Sequence, residues 1–466
     1  MRRAGFLATF ALVTVSPAAA QSSDAWKPPT LTTTRYDEDW STLADPAQRT
    51  GHWTEQFNYI PLGTDSYAST GLELRLRNET YHNNLWGGAP APNDSYLWLR
   101  AMPYADLHVG RVRAFLEPIA AYAIGVRPSN SPIDQTRTDL LQGFVDVRLG
   151  EAHTGDPDAT GLTLRAGRQM LSLGTERMVG TRYGPNVPLA FDGFRGLASL
   201  GGATLSLIAV RPVEPGLGSF DDRRSRTRAL WGAYGSVKRP RSGVDLYYLG
   251  YRNTQATFGG VTARELRHSI GARWFGDVTT WHWNVEGVAQ FGRFADGSIG
   301  AWTLGSEVGR HFPKIRFAPD LQVRLDYASG DGNPNDHHLG TFNALFPKGK
   351  YFGELSPVGP YNLINLNPQV SGTFGNGVTA SLAGMAYWRA SLADGVYDIP
   401  GRLIRAPGTS RARFIGKEIE ATVGWQATRE LSFSASLSAF APGTFIRETG
   451  PARTITMLGL ESDFRF

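Results

Sequence analysis

The chain has 466 residues, no cysteine, 47 Lys and Arg against 42 Asp and Glu, and a formal charge of +5. The missing cysteine removes disulfides, thiolate metal sites, cysteine nucleophiles and a lipid-modified cysteine anchor, and so mild a charge argues against a nucleic-acid partner. Mean hydropathy is −0.26, and past the N-terminus no stretch reaches the ~20 apolar residues of a membrane helix. A helical membrane protein is excluded, whereas a spanning β-barrel stays open because only alternate residues of its strands face lipid.

Arg2 and Arg3, an apolar run from Phe6 to Val15 and small residues up to Ala18, Ala19 and Ala20 predict a cleaved export signal over residues 1–20. Its removal would leave a charge of +3. Residues 21–50 read as a lead segment and 51–466 as one β-domain, without a repeat unit, a helical linker or a second domain.

Beyond residue 70 the pattern has period two. Leu72, Leu74 and Leu76 oppose Glu73, Arg75, Arg77 and Glu79; Val112, Ala114 and Leu116 oppose Arg111, Arg113, Phe115 and Glu117. Gly143, Val145, Val147 and Leu149 oppose Gln142, Phe144, Asp146 and Arg148. Later, Trp283, Val285, Gly287, Ala289 and Phe291 oppose His282, Asn284, Glu286 and Gln290, and Leu321, Val323, Leu325 and Tyr327 oppose Gln322, Arg324 and Asp326. Leu431, Phe433, Ala435, Leu437 and Ala439 oppose serines 432, 434, 436 and 438.

A soluble sandwich also alternates. Here the polar faces mix arginine with carboxylate and glutamine, as suits the lumen of a wide barrel, and the apolar faces are small or glycine-diluted, as suits lipid. The fold class read from this is all-β, a transmembrane antiparallel β-barrel. At ~10 residues per strand plus connections, one strand per ~25 residues gives about 16 to 18 strands. The pair Gly201 and Gly202 reads as a tight hairpin between residues 191–200 and 203–211. The last strand, with Leu458, Leu460, Ser462, Phe464 and Phe466 on one face, ends on an aromatic residue as outer-membrane barrels do, and 12 Trp, 17 Tyr and 24 Phe suffice for two aromatic girdles.

From Leu164 to Gly196 the chain reads LRAGRQMLSLGTERMVGTRYGPNVPLAFDGFRG. This resembles the alginate export family of outer-membrane barrels, in which a strand with a GRQ core is followed by a loop ending in FDG. LELRLRNETYHNN at 72–84, SFDDRRSRTRALWGAYGS at 219–236, RHSIGARWFG at 267–276, WNVEGVAQFGRF at 283–294, and LDYASGDGNPND, TFNALFP and YFGE between 325 and 354 agree in order. The resemblance implies an 18-stranded barrel in the outer membrane whose charged lumen passes an anionic polysaccharide or oligosaccharide, without cofactor or bond chemistry. Its implied partners are that carbohydrate, outer-membrane lipid and lipopolysaccharide, the barrel assembly machinery, and periplasmic export or uptake proteins. Before Phe191 stand Pro188, Leu189 and Ala190, where family members often carry basic residues.

Uronate carboxylates call for cationic donors, and the arginine fork holds a carboxylate bidentately. The lumen candidates are Arg75, Arg77, Arg100, Arg113, Arg148, Arg165, Arg168, Arg177, Arg195 and Arg324, with Gln169 of the GRQ core. Glu79, Glu117, Asp146, Glu286 and Asp326 would keep binding weak enough for release. Alternatively, each arginine pairs with a wall carboxylate and stiffens the barrel. No metal ligand set is expected. Asp331, Asn333, Asn335 and Asp336 resemble a calcium loop only faintly, given Pro334 and the missing bidentate Glu, and adjacent His337 and His338 would face opposite ways. No nucleophile elbow, zincin, P-loop or dinucleotide motif stands in a fitting place, so a channel is expected rather than an enzyme. The rival readings are a porin for small organic anions, an outer-membrane hydrolase with scattered catalytic residues, and a soluble carbohydrate-binding sandwich.

Overall fold

The computed structural model describes residues 29–150 and 160–466. The expected signal, residues 1–20, lies outside them. Eighteen long antiparallel strands form one closed barrel. They are β1 Ser66–His82, β2 Asp94–Val109, β3 Val112–Ile124, β4 Arg137–Leu149, β5 Thr160–Met170 and β6 Ala190–Leu200. Next come β7 Ala203–Glu214, β8 Arg228–Arg239, β9 Ser242–Phe258, β10 Val261–Val278, β11 Trp281–Phe294 and β12 Gly297–His311. The last six are β13 Asp320–Ala328, β14 Leu363–Gly375, β15 Val378–Arg389, β16 Phe414–Gln426, β17 Leu431–Pro442 and β18 Ile455–Arg465. Each pairs with its chain neighbour, and β1 pairs with β18 from Glu73 opposite Arg465 to His82 opposite Thr456, so no edge remains.

Period two sorts the side chains. Leu74, Leu76, Leu116, Leu246 and Phe194 point outward and are exposed, Phe194 at 68%, while Glu73, Arg75, Arg77 and Glu79 are buried inside. Outward rings form a girdle at each end, with Trp274 against Trp283 and Trp425 against Phe433 at one, and Trp302 against Tyr327 and Trp388 against Phe414 at the other. Turns such as Gly201–Gly202, whose φ values are +57° and +82°, close the end that also carries Phe466. Long connections leave from the opposite end. Short turns mark the periplasmic side of such barrels and long loops the extracellular side.

An 18-stranded barrel is too wide for its own inward side chains to fill. The buried clusters are therefore built by loops turned into the lumen. Residues 171–189 and 329–362 meet there, with backbone bonds from Gly180 N to the Phe346 carbonyl (2.8 Å) and from Phe346 N to the Met178 carbonyl (2.9 Å). Leu173, Met178, Leu345 and Phe346 pack against inward Ile208, Leu230, Tyr247 and Leu249. Beside them Trp86, Phe352, Phe445 and Ile446 fill the lumen along β14–β18. The mid-lumen is thus packed with apolar side chains along much of its wall, which the expectation of a charged wall did not include.

The GRQ and FDG motifs are cross-strand partners: Gly167 lies opposite Gly193, and Arg168 opposite Asp192. Gly167 has φ +136°, and a Cβ there would overlap the Gly143 carbonyl oxygen and the Phe144 Cα. Gly167→Ala should therefore cost about 1–3 kcal/mol and lower the temperature at which the barrel loses its compact, heat-modifiable mobility in SDS. A variant melting with the parent would contradict this.

Candidate functional site

The wall of β1–β5 carries most of the arginines expected to line the lumen, and each is committed to protein groups. Arg75 donates to the carbonyls of Tyr183 (3.0 Å) and Pro185 (2.7 Å) on the 171–189 loop. Arg77 reaches three carboxylates, Glu79 (2.6 Å), Glu461 (2.7 Å) and Glu354 (2.5 Å). Glu79 also accepts from Lys350 Nζ (2.9 Å) and the Tyr96 hydroxyl (2.6 Å). Arg100 pairs with Glu73 at 2.5 Å and lies 4.3 Å from the centre of the Tyr183 ring. Arg113 and Arg165 are held in bidentate pairs by Asp106 and Asp146, with closest bonds of 2.7 Å each. Glu117 accepts from Gln142 (2.6 Å). Arg168 pairs with Asp192 (2.8 Å) and donates to the Leu140 carbonyl (2.9 Å).

A second cluster sits where the two inward loops meet β11 and β13. Arg177, on the first loop, pairs with Asp326 and Glu286 and donates to the Tyr351 hydroxyl (2.7 Å). Arg324 pairs with Asp326 (2.6 Å) and donates to the Tyr351 carbonyl (2.8 Å). These ion pairs rivet the loops to the wall. Removing one partner of such a pair leaves a buried charge, at a cost of about 3–5 kcal/mol. Gln169 is fully buried, and its amide makes no hydrogen bond among the described residues. Arg148 lies at the periplasmic end of β4, half-exposed. Arg195 donates to Ser206 Oγ (2.7 Å).

Two cavities flank the inward loops along the opposite wall. On the periplasmic side, about 360 Å³ is lined by Arg195, Lys238, Arg273, Ser206, Tyr234 and Asp245. On the extracellular side, about 470 Å³ is lined by Arg182, Arg228, Arg402, Tyr251, Asn253 and Glu265. Arg273 pairs with Asp245, Arg228 with Glu214 and Arg402 with Asp398. Among the described residues no carboxylate pairs with Arg182, Arg195 or Lys238, so both cavities keep a positive excess. Between them the wall carries Tyr234, Tyr247 and Leu249. Of these cationic groups the sequence reading named only Arg195. The parity of β8 and β10 carried a signal for Lys238 and Arg273, whereas Arg182 and Arg402 sit on loops, where no periodicity reports direction.

Asp331 accepts from Gly340 N and its own N–H donates to Asp394, so it serves the loop. Asp139, Asp221 and Asp222 lie together near the extracellular end of β4, and there Asp139 accepts from Asp222 N.

The alginate export family model matches residues 66–458. No curated protein matches the chain. Among solved structures, Acinetobacter baumannii OccAB1 superposes with a TM-score of 0.57 at 12% identity, covering 86% of this chain and 96% of that one. Pseudomonas aeruginosa OccK2 (OpdF), solved in complex with glucuronate, gives 0.56 at 13% identity over 86% and 98%. Pseudomonas aeruginosa OpdK, solved with vanillate, gives 0.55 at 14% over 85% and 98%. At such identities the likeness is one of fold. The chain is an outer-membrane β-barrel channel.

The clamp on the 329–362 loop depends on a carboxylate outside the spanning strands. Burial works to raise Glu354 from its ordinary 4.5, but Lys350 and Arg77 outweigh it and hold the group at about 2. A depressed carboxyl contributes stability that is complete above its ordinary value and lost as pH falls towards the folded value. Single-channel recordings should accordingly be steady from neutral pH down to 4.5 and grow noisy only as pH falls from there towards about 2. Glu354→Gln should be noisy throughout; a quiet variant would refute the clamp.

Proposed function

From its membership of the alginate export family, to which the chain belongs, and from the lumen geometry, we propose a passive channel for small carboxylate-bearing, hydroxylated solutes, such as uronate monomers and short oligomers. The observation that carries this reading is the pair of basic cavities, one on each side of the inward loops. A cleft lined by one sign of charge concentrates counter-ions, and several weak sites in series favour entry without trapping. A carboxylate entering past Arg402, Arg228 and Arg182 would meet Arg195, Lys238 and Arg273 on leaving. Hydroxyl and amide groups of Ser206, Asn253 and Tyr234 stand beside these cations for a sugar's hydroxyls. The glucuronate and vanillate of the two structural neighbours are carboxylates of this size, and that supports the reading by analogy. Neither cavity needs a catalytic group, and a channel without bond chemistry suffices.

The second reading, passage of an anionic polysaccharide, is favoured by the family match. It requires a continuous groove, whereas the inward loops pack against the mid-lumen wall and leave separate cavities. A passive pore has no intrinsic direction, so either reading serves export or uptake.

In planar bilayers the pore should prefer anions, and glucuronate should lower its current reversibly. Each partly exposed contact is worth no more than about 1 kcal/mol. Lys238→Glu loses that contact and adds a repulsion of similar size, so alone it should weaken the block at most about thirtyfold, and together with Arg402→Glu by considerably more. Cation preference in the parent, or a block indifferent to the double reversal, would defeat the proposal. Retention of polymer inside liposomes that release uronate monomers would separate it from polysaccharide passage.

A further inference from the structure

The segment ahead of β1 does not stay outside the barrel. It rises into the lumen, turns at Arg35, whose φ is +59°, and descends to the rim. Tyr36 N–H bonds to the Thr34 carbonyl (2.7 Å) and Glu38 N–H to the Arg35 carbonyl (3.2 Å), so Arg35 and Tyr36 form the tip. Both are buried, at 1% and 4% exposure.

The tip sits in a socket made by adjacent strands. The Tyr36 ring stands edge-on to Phe144 at 5.4 Å and to Phe115 at 6.1 Å, and the Arg165 guanidinium lies 4.2 Å from its centre. Its hydroxyl donates to the Met170 carbonyl (2.8 Å). Gln142 Nε2 donates to the Thr34 carbonyl (3.0 Å) and Arg113 Nη2 to the Tyr36 carbonyl (2.6 Å). Arg35 pairs with Glu38 (2.8 Å), stacks on Tyr104 (4.7 Å) and donates to the Phe466 carbonyl (2.6 Å).

Tyr104 and Phe144 each lie five residues from the periplasmic ends of β2 and β4, roughly 15 Å along a strand at about 3.3 Å per residue. Met170, bonded to the tip, ends β5 where the 171–189 loop begins. The segment therefore fills the lumen from the periplasmic rim to the underside of that loop, along β2–β5. Its polar contacts with the socket run to side chains and to the Met170 carbonyl at the end of β5. The strand ladder within the socket does not depend on it, although Arg35 also touches the β1–β18 seam through Phe466.

We infer that Thr32–Trp40 is a size-selecting plug, the element that narrows the periplasmic half of the passage along β2–β5, its Tyr36 hydroxyl meeting Arg195 (3.5 Å) at the edge of the periplasmic basic cavity. It is compatible with either cargo named above, because it concerns the width of the passage and not its charge preference. Arg113 and Arg165 already have carboxylate partners, and Arg195 keeps its bond to Ser206 and already lines open space, so uncovering them should change conductance more than ion selectivity.

The cysteine-free chain makes the test clean, since Gln142→Cys introduces a single thiol beneath the plug. Tyr36→Ala, and separately a deletion of residues 32–40, would be placed in this background and checked for heat-modifiable folding. A membrane-impermeant maleimide added from the periplasmic side should label the Gln142→Cys thiol at least about tenfold faster in the Tyr36→Ala protein, a change well within what the loss of one buried ring allows. Single-channel conductance should rise in the same protein and further in the deletion, with the anion-to-cation ratio nearly unchanged. If the seam contact prevents the deletion from assembling, Tyr36→Ala alone decides. Unchanged labelling and conductance in the folded variant would overturn the inference. So would faster labelling without a rise in conductance, since the segment would then cover the wall without limiting the passage.

Discussion

The rest of the structure depends on the need to pair every backbone N–H and C=O across the hydrocarbon layer, where no water can substitute. The β1–β18 ladder meets it by joining the first strand to the last, so the sheet has no edge. Closure in turn enforces the alternation. Once each strand is paired on both sides, odd and even positions must face lipid or lumen, and a single-residue shift would place Arg75 and Arg77 in lipid. The outward Leu74 and Leu76 and the inward ion-pair ladder are two consequences of one constraint.

Eighteen strands enclose more space than side chains can fill, and the surplus is taken up from both ends. Residues 171–189 and 329–362 enter from the extracellular end, and Thr32–Trp40 from the periplasmic end. Each brings an apolar face to the interior; the two loops add ion pairs with the wall, whereas Arg35 of the segment pairs with its own Glu38 and the wall's Arg113 donates to the Tyr36 carbonyl. A buried charge without a partner is expensive, whereas a satisfied pair roughly breaks even. The role of Arg77, Arg177 and Arg324 is therefore to fix the position of the loops rather than to add net stability. Carboxylates absorb most of the positive charge along β1–β5 and around Asp326, Arg75 being held by carbonyls instead, so the excess that faces open space lies elsewhere, at Arg182, Arg195 and Lys238.

This division assigns different work to two parts of the wall. Along β1–β5 arginines and carboxylates hold the inserted segments in place. Along β7–β10 tyrosines and apolar residues pack against the loops, with cations above and below. In the proposed reading, charge preference and passage width rest mostly on separate groups, which meet where the Tyr36 hydroxyl lies 3.5 Å from Arg195.

The sequence by itself determined the membrane barrel, its approximate strand number and the facing of strands such as β1, β3, β13 and β17, because a half-lipid, half-lumen strand must alternate and alternation is local. The GRQ and FDG motifs were legible as a family signature, but their physical meaning was not: Gly167 opposite Gly193 and Arg168 on Asp192 are register facts between strands separated by a 19-residue connection. Inward orientation of Arg75, Arg77 and Arg165 could be read from parity, while their partners Tyr183, Glu354 and Tyr36 could not, since these come from chain segments with no periodicity. Tertiary structure alone decided which arginines are spent on protein and which face open space, because that depends on where inward loops land, and a loop's path is set by the wall it meets.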